Sequence, residues 1–320
     1  MKTMIKLIAI DMDGTLLSPN GRVPAQNAAA LRRLLTYGIR AVVCTGRSPQ
    51  DAFIPLHEAG IFVPVISMNG AACYDAAGRL EKTTALSEAD VRRILEQAEC
   101  HSLIVDLMTD EGSITTAAEP LFRTCFEAGE LLPTADMKYD DICSRFRFTS
   151  AAWVLAERPR IYKASLIALG ERKERLREVR ALLSTSATLS IASSAENNLE
   201  LTDEGATKGQ ALKAYAKAQG IRLSETGVVG DSENDLSMFR LPVGLKAAMG
   251  NAAGCICREA DLITEDNAHA GVALLLNRVL EMDGEAADVI ELFQNAGEIK
   301  TIRNLIPSVG KTAKSCMMPA

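Results

Sequence analysis

The chain is poor in aromatic residues: Phe, Tyr and Trp together make up 4% of it, with a single Trp. Its cores must be built from Ala, Leu, Ile, Val and Met, and the 48% hydrophobic content is enough for sizeable ones. Histidine is scarce as well. His57, His101 and His269 are not grouped with carboxylates at ligand spacing, so they read as structural or surface residues. The eight cysteines, at 44, 73, 100, 125, 143, 255, 257 and 316, contain no CxxC pair. Cys255-Ile-Cys257 alone is a weak metal or redox signal, and the set reads as small reduced core residues. No segment approaches the ~18 uninterrupted apolar residues of a membrane span. The first apolar stretch is cut short by Asp11 and Asp13, without the h-region and cleavage site of a signal peptide, so a cytoplasmic protein is expected. An excess of positive charge is missing too. The formal net charge of -6 argues against a general nucleic-acid binder, while leaving room for a local basic pocket.

What the chain does have is alternation. Lys6–Ile10 reads as a buried strand, followed by the turn signal Asn20-Gly21 and a helix over Ala25–Tyr37 that Gly38 closes. A second strand over Ile39–Cys44 ends in Thr45-Gly46-Arg47, Ser48-Pro49 starts another helix, and a third strand over Val63–Ser67 ends in Met68-Asn69-Gly70. This order predicts a parallel α/β sheet. The pattern then changes. A helix capped by Ser87, strands over Ser102–Leu107 and Ser113–Ala117, an unordered stretch to about Pro159, a strand over Tyr162–Leu169, a helix over Glu171–Leu183 and strands over Ala187–Ala192 and Leu199–Thr202 suggest an independent α+β unit. The α/β pattern resumes with a helix over Lys208–Gln219, a strand over Thr226–Gly230, shorter elements, and a helix over Gly271–Glu281. The expected organisation is α/β: a discontinuous sheet-based core at 1–83 and 201–282, an inserted α+β domain at 84–200, and a C-terminal extension at 283–320 with one helical pattern and a loosely patterned, partly mobile end.

Four elements converge on one edge of the expected core sheet, where open parallel sheets bind their ligands. The pair Asp11 and Asp13 ends the first strand, and two close carboxylates repel unless a cation or a proton intervenes. Alternation along an extended segment would turn both toward one face. Thr45-Gly46-Arg47 ends the second strand, Lys208 opens the helix after the insertion, and Gly230-Asp231-Ser-Glu-Asn234-Asp235 ends a later strand. Each alone has a plain reading: a turn pair, a solvated lysine, a helix N-cap. Their coincidence at strand ends and helix starts is harder to dismiss.

These motifs resemble the haloacid dehalogenase superfamily of phosphohydrolases, and within it the Cof-like subgroup, whose α/β cap is inserted after the third core strand. Asp11-Met-Asp13-Gly-Thr15, Thr45-Gly46-Arg47, Gly205-Ala-Thr-Lys208-Gly209 and Gly230-Asp231-Ser-Glu-Asn234-Asp235 fit its four motifs in order. Ala248-Met-Gly-Asn251-Ala and Asp261 are similar to its C-terminal pattern. The resemblance implies a Rossmann-like core with a cap, a Mg²⁺-dependent phosphatase and a small phosphate-ester substrate. Sugar phosphates are the default class, with nucleotide and pyridoxal phosphates as further candidates. Asp11 is the expected nucleophile and a metal ligand; Asp231 is a second ligand, Asp13 contributes its backbone carbonyl, and Asp235 acts directly or through a water. Asp13 takes the acid/base role. Thr45, the Gly46 amide, Lys208, Asn234 and Asn69 are expected on the phosphoryl group, and Arg47 is expected to pair with an acid. Competing readings are a phosphomutase, a phosphoacceptor switch and a DxD glycosyltransferase. Nucleic-acid and membrane partners are not expected, and monomer and homodimer stay open.

Overall fold

A computed structural model of the chain describes residues 4–129, 131, 138–170 and 174–295. In chain order, the first part of the core comprises β1 (Leu7–Ile10), α1 (Ala25–Thr36), β2 (Arg40–Cys44), α2 (Pro49–Glu58), β3 (Val65–Ser67), β4 (Ala72–Tyr74) and β5 (Leu80–Thr83). The insertion comprises α3 (Glu88–Cys100), β6 (Ile104–Met108), β7 (Ser113–Thr115), α4 (Glu119–Glu127), α5 (Tyr139–Cys143), β8 (Phe146–Phe148), α6 (Ala151–Glu157), β9 (Lys163–Ile167), α7 (Arg175–Leu183), β10 (Leu189–Ala192) and β11 (Asn198–Asp203). The core resumes with α8 (Lys208–Ala218), β12 (Thr226–Gly230), α9 (Leu236–Phe239), β13 (Leu245–Ala248), α10 (Gly254–Glu259), β14 (Leu262–Ile263), α11 (Gly271–Glu281) and α12 (Ala286–Asn295).

Among the described residues the strands form two sheets. The eight-stranded core sheet runs β14-β13-β12-β1-β2-β3-β4-β5. It is parallel from β14 to β3 and antiparallel over β4 and β5. β1 is central because it is apolar on both faces: Leu7, Ile8, Ala9 and Ile10 are all buried, under α1 and α11 on one side and α8 and α9 on the other. The β4–β5 pair was not expected. Its second strand, Leu80-Glu-Lys-Thr83, is largely exposed at a sheet edge and carries little apolar signal.

The second sheet runs β10-β11-β9-β6-β7-β8 and forms the cap. Strand alternation divides its faces. Val105, Leu107, Ala164, Leu166, Leu199 and Leu201 point into an apolar core with residues of α3, α6 and α7. β11 continues to Asp203, so the division expected at 200/201 falls within a strand of the cap sheet. The stretch that resisted reading contains α4, α5, β8 and α6, short elements held by ring contacts of Phe122 with Tyr139, Phe146 and Phe148. The expected helix start at Glu171 lies outside the described residues, as do Cys316 and the chain beyond Asn295. The described part of the C-terminal extension belongs to the core: Ala286, Val289 and Phe293 of α12 are buried with the residues of α1 and α11. No helix among the described residues is long and apolar enough to cross a membrane.

Candidate active site

The site forms where β1, β2, β3 and β12 end and α8 begins. Asp11 leaves β1 with its amide still bonded to Val229 O at 3.0 Å. The chain then turns tightly through Met12–Leu16 instead of continuing extended, so the alternation argument for Asp11 and Asp13 does not apply. Gly14 makes the turn feasible. Its φ is +73°, and a Cβ there would lie 2.4 Å from Asp231 Oδ2. Thr15 anchors the far side by donating to Asp231 Oδ1 at 2.9 Å. Asn251, from the C-terminal motif, donates to Gly14 O at 2.9 Å and staples the same turn.

Lys208 is the hub. It is the first residue of α8, whose N-cap Thr207 accepts from the Gln210 amide. Its ammonium is fully buried and donates to Asp11 Oδ1 at 2.6 Å, Asp235 Oδ1 at 2.7 Å and Asn234 Oδ1 at 3.2 Å. Burial works against its charge, but Asp11 and Asp235 override that cost and hold its pKa above the ordinary lysine value. Asp235 also accepts from the amides of Asp231 and Ser232 through Oδ2, at 3.0 and 3.1 Å. Gly230 gives that carboxylate room, since a Cβ there would lie 2.5 Å from Oδ2.

Asp11, Asp231 and Asp235 each bring a carboxylate oxygen within 4.8 Å of the others. Burial, then repulsion from Asp235, raises the Asp11 pKa well above the aspartate range. Burial, then Asp235, pushes Asp231 up to about 7. One ammonium does not balance three carboxylates. An all-oxygen donor set with surplus negative charge suits a hard divalent cation. The Asp13 carboxylate stands outside this cluster. It is 59% exposed and is gripped by Arg47, whose Nε and Nη2 donate to it at 2.8 and 2.6 Å. Arg47 thus pairs with an acid, as its sequence context suggested.

The remaining expected residues gather at the ends of β2 and β3. Thr45 is buried, and its Oγ1 accepts from the Arg47 amide at 3.1 Å. Met68, Asn69 and Gly70 have φ of +48°, +57° and +104°, an unfavourable run that asparagine and glycine tolerate best. Asn69 and Asn234 both donate to Glu200 of β11, at 2.7 and 3.2 Å. Glu200 in turn pairs with Lys163 of β9 at 2.6 Å, and Lys163 donates to Gly46 O at 2.8 Å. The sequence reading missed both cap residues. A charged side chain inside an apolar strand was the available signal: Glu200 lies between Leu199 and Leu201, and Lys163 opens the run to Ile167.

The cap also meets the core through Arg180, which grips Glu233 with two nitrogens at 2.9 Å, and through Arg145 with Asp51. Across the cap sheet Asp106, Ser165 and Glu200 are register partners in one polar row. Burial pushes Asp106 up to about 6, and its Oδ1 has no hydrogen-bond partner among the described residues. A cleft of about 260 Å³ lies between β10 and β11 and the core, lined by Asn69, Glu200, Thr202, Lys208, Glu233 and Asn234 among others. The histidines stay apart from all of this. His57 stacks on Phe53 and Phe62, and His269 pairs with Asp266.

Residues 8–276 match the haloacid dehalogenase-like hydrolase family. The chain is 35% identical over 289 residues to "Phosphatase YwpJ" of Bacillus subtilis, covering 86% of this chain and 100% of the relative. It is 27% identical over 289 residues to "5-amino-6-(5-phospho-D-ribitylamino)uracil phosphatase YwtE" of the same organism, covering 86% and 98%. A solved haloacid dehalogenase-like hydrolase from B. subtilis superimposes with a TM-score of 0.75 at 32% identity, covering 85% of this chain and 99% of that one. These matches set aside the phosphoacceptor-switch and glycosyltransferase readings. The chain belongs to the haloacid dehalogenase-like hydrolases, as a capped, Cof-like phosphatase that acts on small phosphoric monoesters.

Proposed function

We propose that this phosphatase hydrolyses a sugar phosphate, with Mg²⁺ as cofactor and Asp11 as the group that is transiently phosphorylated. The observation that carries the reading is the buried cluster of Asp11, Asp231 and Asp235 around Lys208. Asp11 attacks phosphorus in line, the bond to the leaving oxygen breaks, and that alkoxide takes a proton from Asp13. Asp13 then removes a proton from water, which attacks the aspartyl-phosphate and frees inorganic phosphate. Arg47, itself held on Asp51 O at 3.1 Å, sets the direction of the Asp13 carboxylate. Lys208 opposes the rise in the Asp11 pKa, favouring its ionised form, and places positive charge beside the transferred group. Thr45 already accepts from the Arg47 amide, which leaves its O–H free to donate to a phosphoryl oxygen.

Asp11, Asp231 and the Asp13 carbonyl would hold the Mg²⁺. Asp235, whose oxygens are already engaged by Lys208 and two amides, would reach it through water. When bound, the ion offsets the repulsion between Asp11 and the phosphate dianion. Asn234 and Asn69 border the phosphoryl site, each giving one amide proton to Glu200, and the second amide proton of Asn69 remains to donate to a phosphoryl oxygen. Beside Glu200, whose oxygens are already engaged, the cap row offers an acceptor in Asp106 and a hydroxyl in Ser165, which suits a polyol leaving group. A panel of sugar, nucleotide and pyridoxal phosphates assayed with Mg²⁺ tests the reading. Phosphate release is expected from at least one sugar phosphate, and is lost in Asp11→Asn and in EDTA. Robust turnover by Asp11→Asn, or activity confined to the other ester classes, would overturn it.

A further inference from the structure

The ion pair Lys163–Glu200 belongs to the cap, yet each partner ends on the core's phosphate-handling residues. Both side chains are almost wholly buried, at 2% and 6% exposure. A buried pair of this kind adds little net stability over apolar packing, so its presence calls for a reason beyond holding the fold. The hydrogen bonds supply one. A carboxylate can only accept and an ammonium can only donate. Glu200 Oε1 accepts from Lys163 and from Ser194 Oγ at 3.1 Å, and Oε2 accepts from the amide nitrogens of Asn69 and Asn234.

Asn234 is therefore oriented from both sides. Its nitrogen must face Glu200, and its oxygen faces Lys208 and Ser232 Oγ. The opposite flip would point amide hydrogens at the Lys208 ammonium. Lys208 spends its three protons on Asp11, Asp235 and Asn234, so the asparagine completes its tether. The other partner acts on the second motif. Lys163 donates to Gly46 O, and the N–H of that same peptide, on Arg47, donates to Thr45 Oγ1. Holding the carbonyl fixes the peptide plane, and the plane fixes Thr45.

We infer that Lys163 and Glu200 are positioning residues for phosphoryl transfer: a cap-borne pair that orients Lys208 through Asn234 and Thr45 through the Gly46–Arg47 peptide. The inference rests on the proposed roles of Lys208 and Asp11. It makes cap docking and ordering of the catalytic groups a single event, because two of the residues that complete the core site come from β9 and β11.

Steady-state hydrolysis of p-nitrophenyl phosphate with saturating Mg²⁺ tests this in the full chain. Glu200→Gln keeps the shape but presents an NH₂ either to Lys163 or to the two asparagine donors. Its expected effect is a loss of about a hundredfold in kcat, the scale of a small misplacement, with KM moving by no more than about threefold. In an Asn234→Ala background the same change should cost well under its full loss of about a hundredfold, since the arm through Asn234 is already cut and only the Lys163–Gly46 arm is left to lose. Losses that multiply across the two backgrounds, an effect carried by KM, or wild-type kcat in Glu200→Gln would each overturn the inference. Lys208→Ala separates the two levels: if it stays active, the proposed chemistry fails rather than the relay. Circular dichroism checks folding, and if Glu200→Gln does not fold, the charge-balanced pair Lys163→Gln with Glu200→Gln is read by the same criteria.

Discussion

The packing of Asp231 sets up a stability effect that can be worked through. In the folded protein its pKa is about 7, raised by burial and by Asp235, against an ordinary 3.8. A difference of that size corresponds to on the order of 4 kcal/mol between the protonation states. The sign follows from proton counting. Between those two values the folded chain holds a proton at Asp231 that the unfolded chain has released, so stability falls as pH rises and stops falling above about pH 7. About 3 kcal/mol of the effect lies between roughly pH 5 and pH 8. Asp231→Asn removes the titration and can still accept from Thr15. In EDTA the variant should overtake the wild type progressively over that range, by urea denaturation at matched ionic strength. Comparing wild type with variant at each pH cancels the groups that do not interact with Asp231, while relief of its repulsion on Asp11 acts in the same direction. Mg²⁺ at the alkaline end should restore the wild type and do little for the variant. A stability difference that does not change with pH, or a variant that loses ground as pH rises, would refute the electrostatic account of the cluster.

Asp13→Ala should lower turnover by about 10²–10⁴-fold while leaving Mg²⁺ affinity by titration calorimetry nearly unchanged; loss of metal affinity alone would make Asp13 a structural ligand instead. Gly209→Ala should cost about 1–3 kcal/mol or more in chemical denaturation, because its Cβ would lie 2.1 Å from Ser237 O where α8 crosses α9; an unchanged midpoint would disprove that contact. Phe293→Ala should cost about 3–5 kcal/mol, since the ring is buried against the core; a loss below about 1 kcal/mol would mean that α12 is an appendage.

The core and the signature residues were legible because their signals are local. Lys6–Ile10 is an uninterrupted apolar run that ends in two acids, and Ser48 and Ser87 each accept the amide hydrogen bond that their positions before a helix announced. What stayed illegible depends on partners far along the chain. Tyr139–Cys143 is too short to be a helix on its own propensity and is held against Phe122 by ring packing. The edge strand β5 is mostly polar, so pairing rather than pattern defines it. Lys163 and Glu200 lie 37 residues apart, and a lone charge in a strand says nothing about which charge will meet it. The separation of Asp11 from Asp13 was misjudged for a related reason: the turn that parts them is imposed by Gly14 packing on Asp231, 217 positions later.

The place of β1 in the core sheet has a consequence for how the chain reaches this state. One edge of β1 meets β2, the next strand along the chain, while the other waits for β12, beyond the whole cap. The cap's own strands, from β6 to β11, emerge complete in the interval. Until β12 arrives, β1 offers a bare apolar edge, the kind of surface that recruits neighbouring chains. The seam between β1 and β12 is also the one that brings Asp231 and Asp235 to Asp11. Assembly of the catalytic cluster and pairing of the second edge of β1 are thus the same step, and a nascent chain is inactive for as long as that edge is bare.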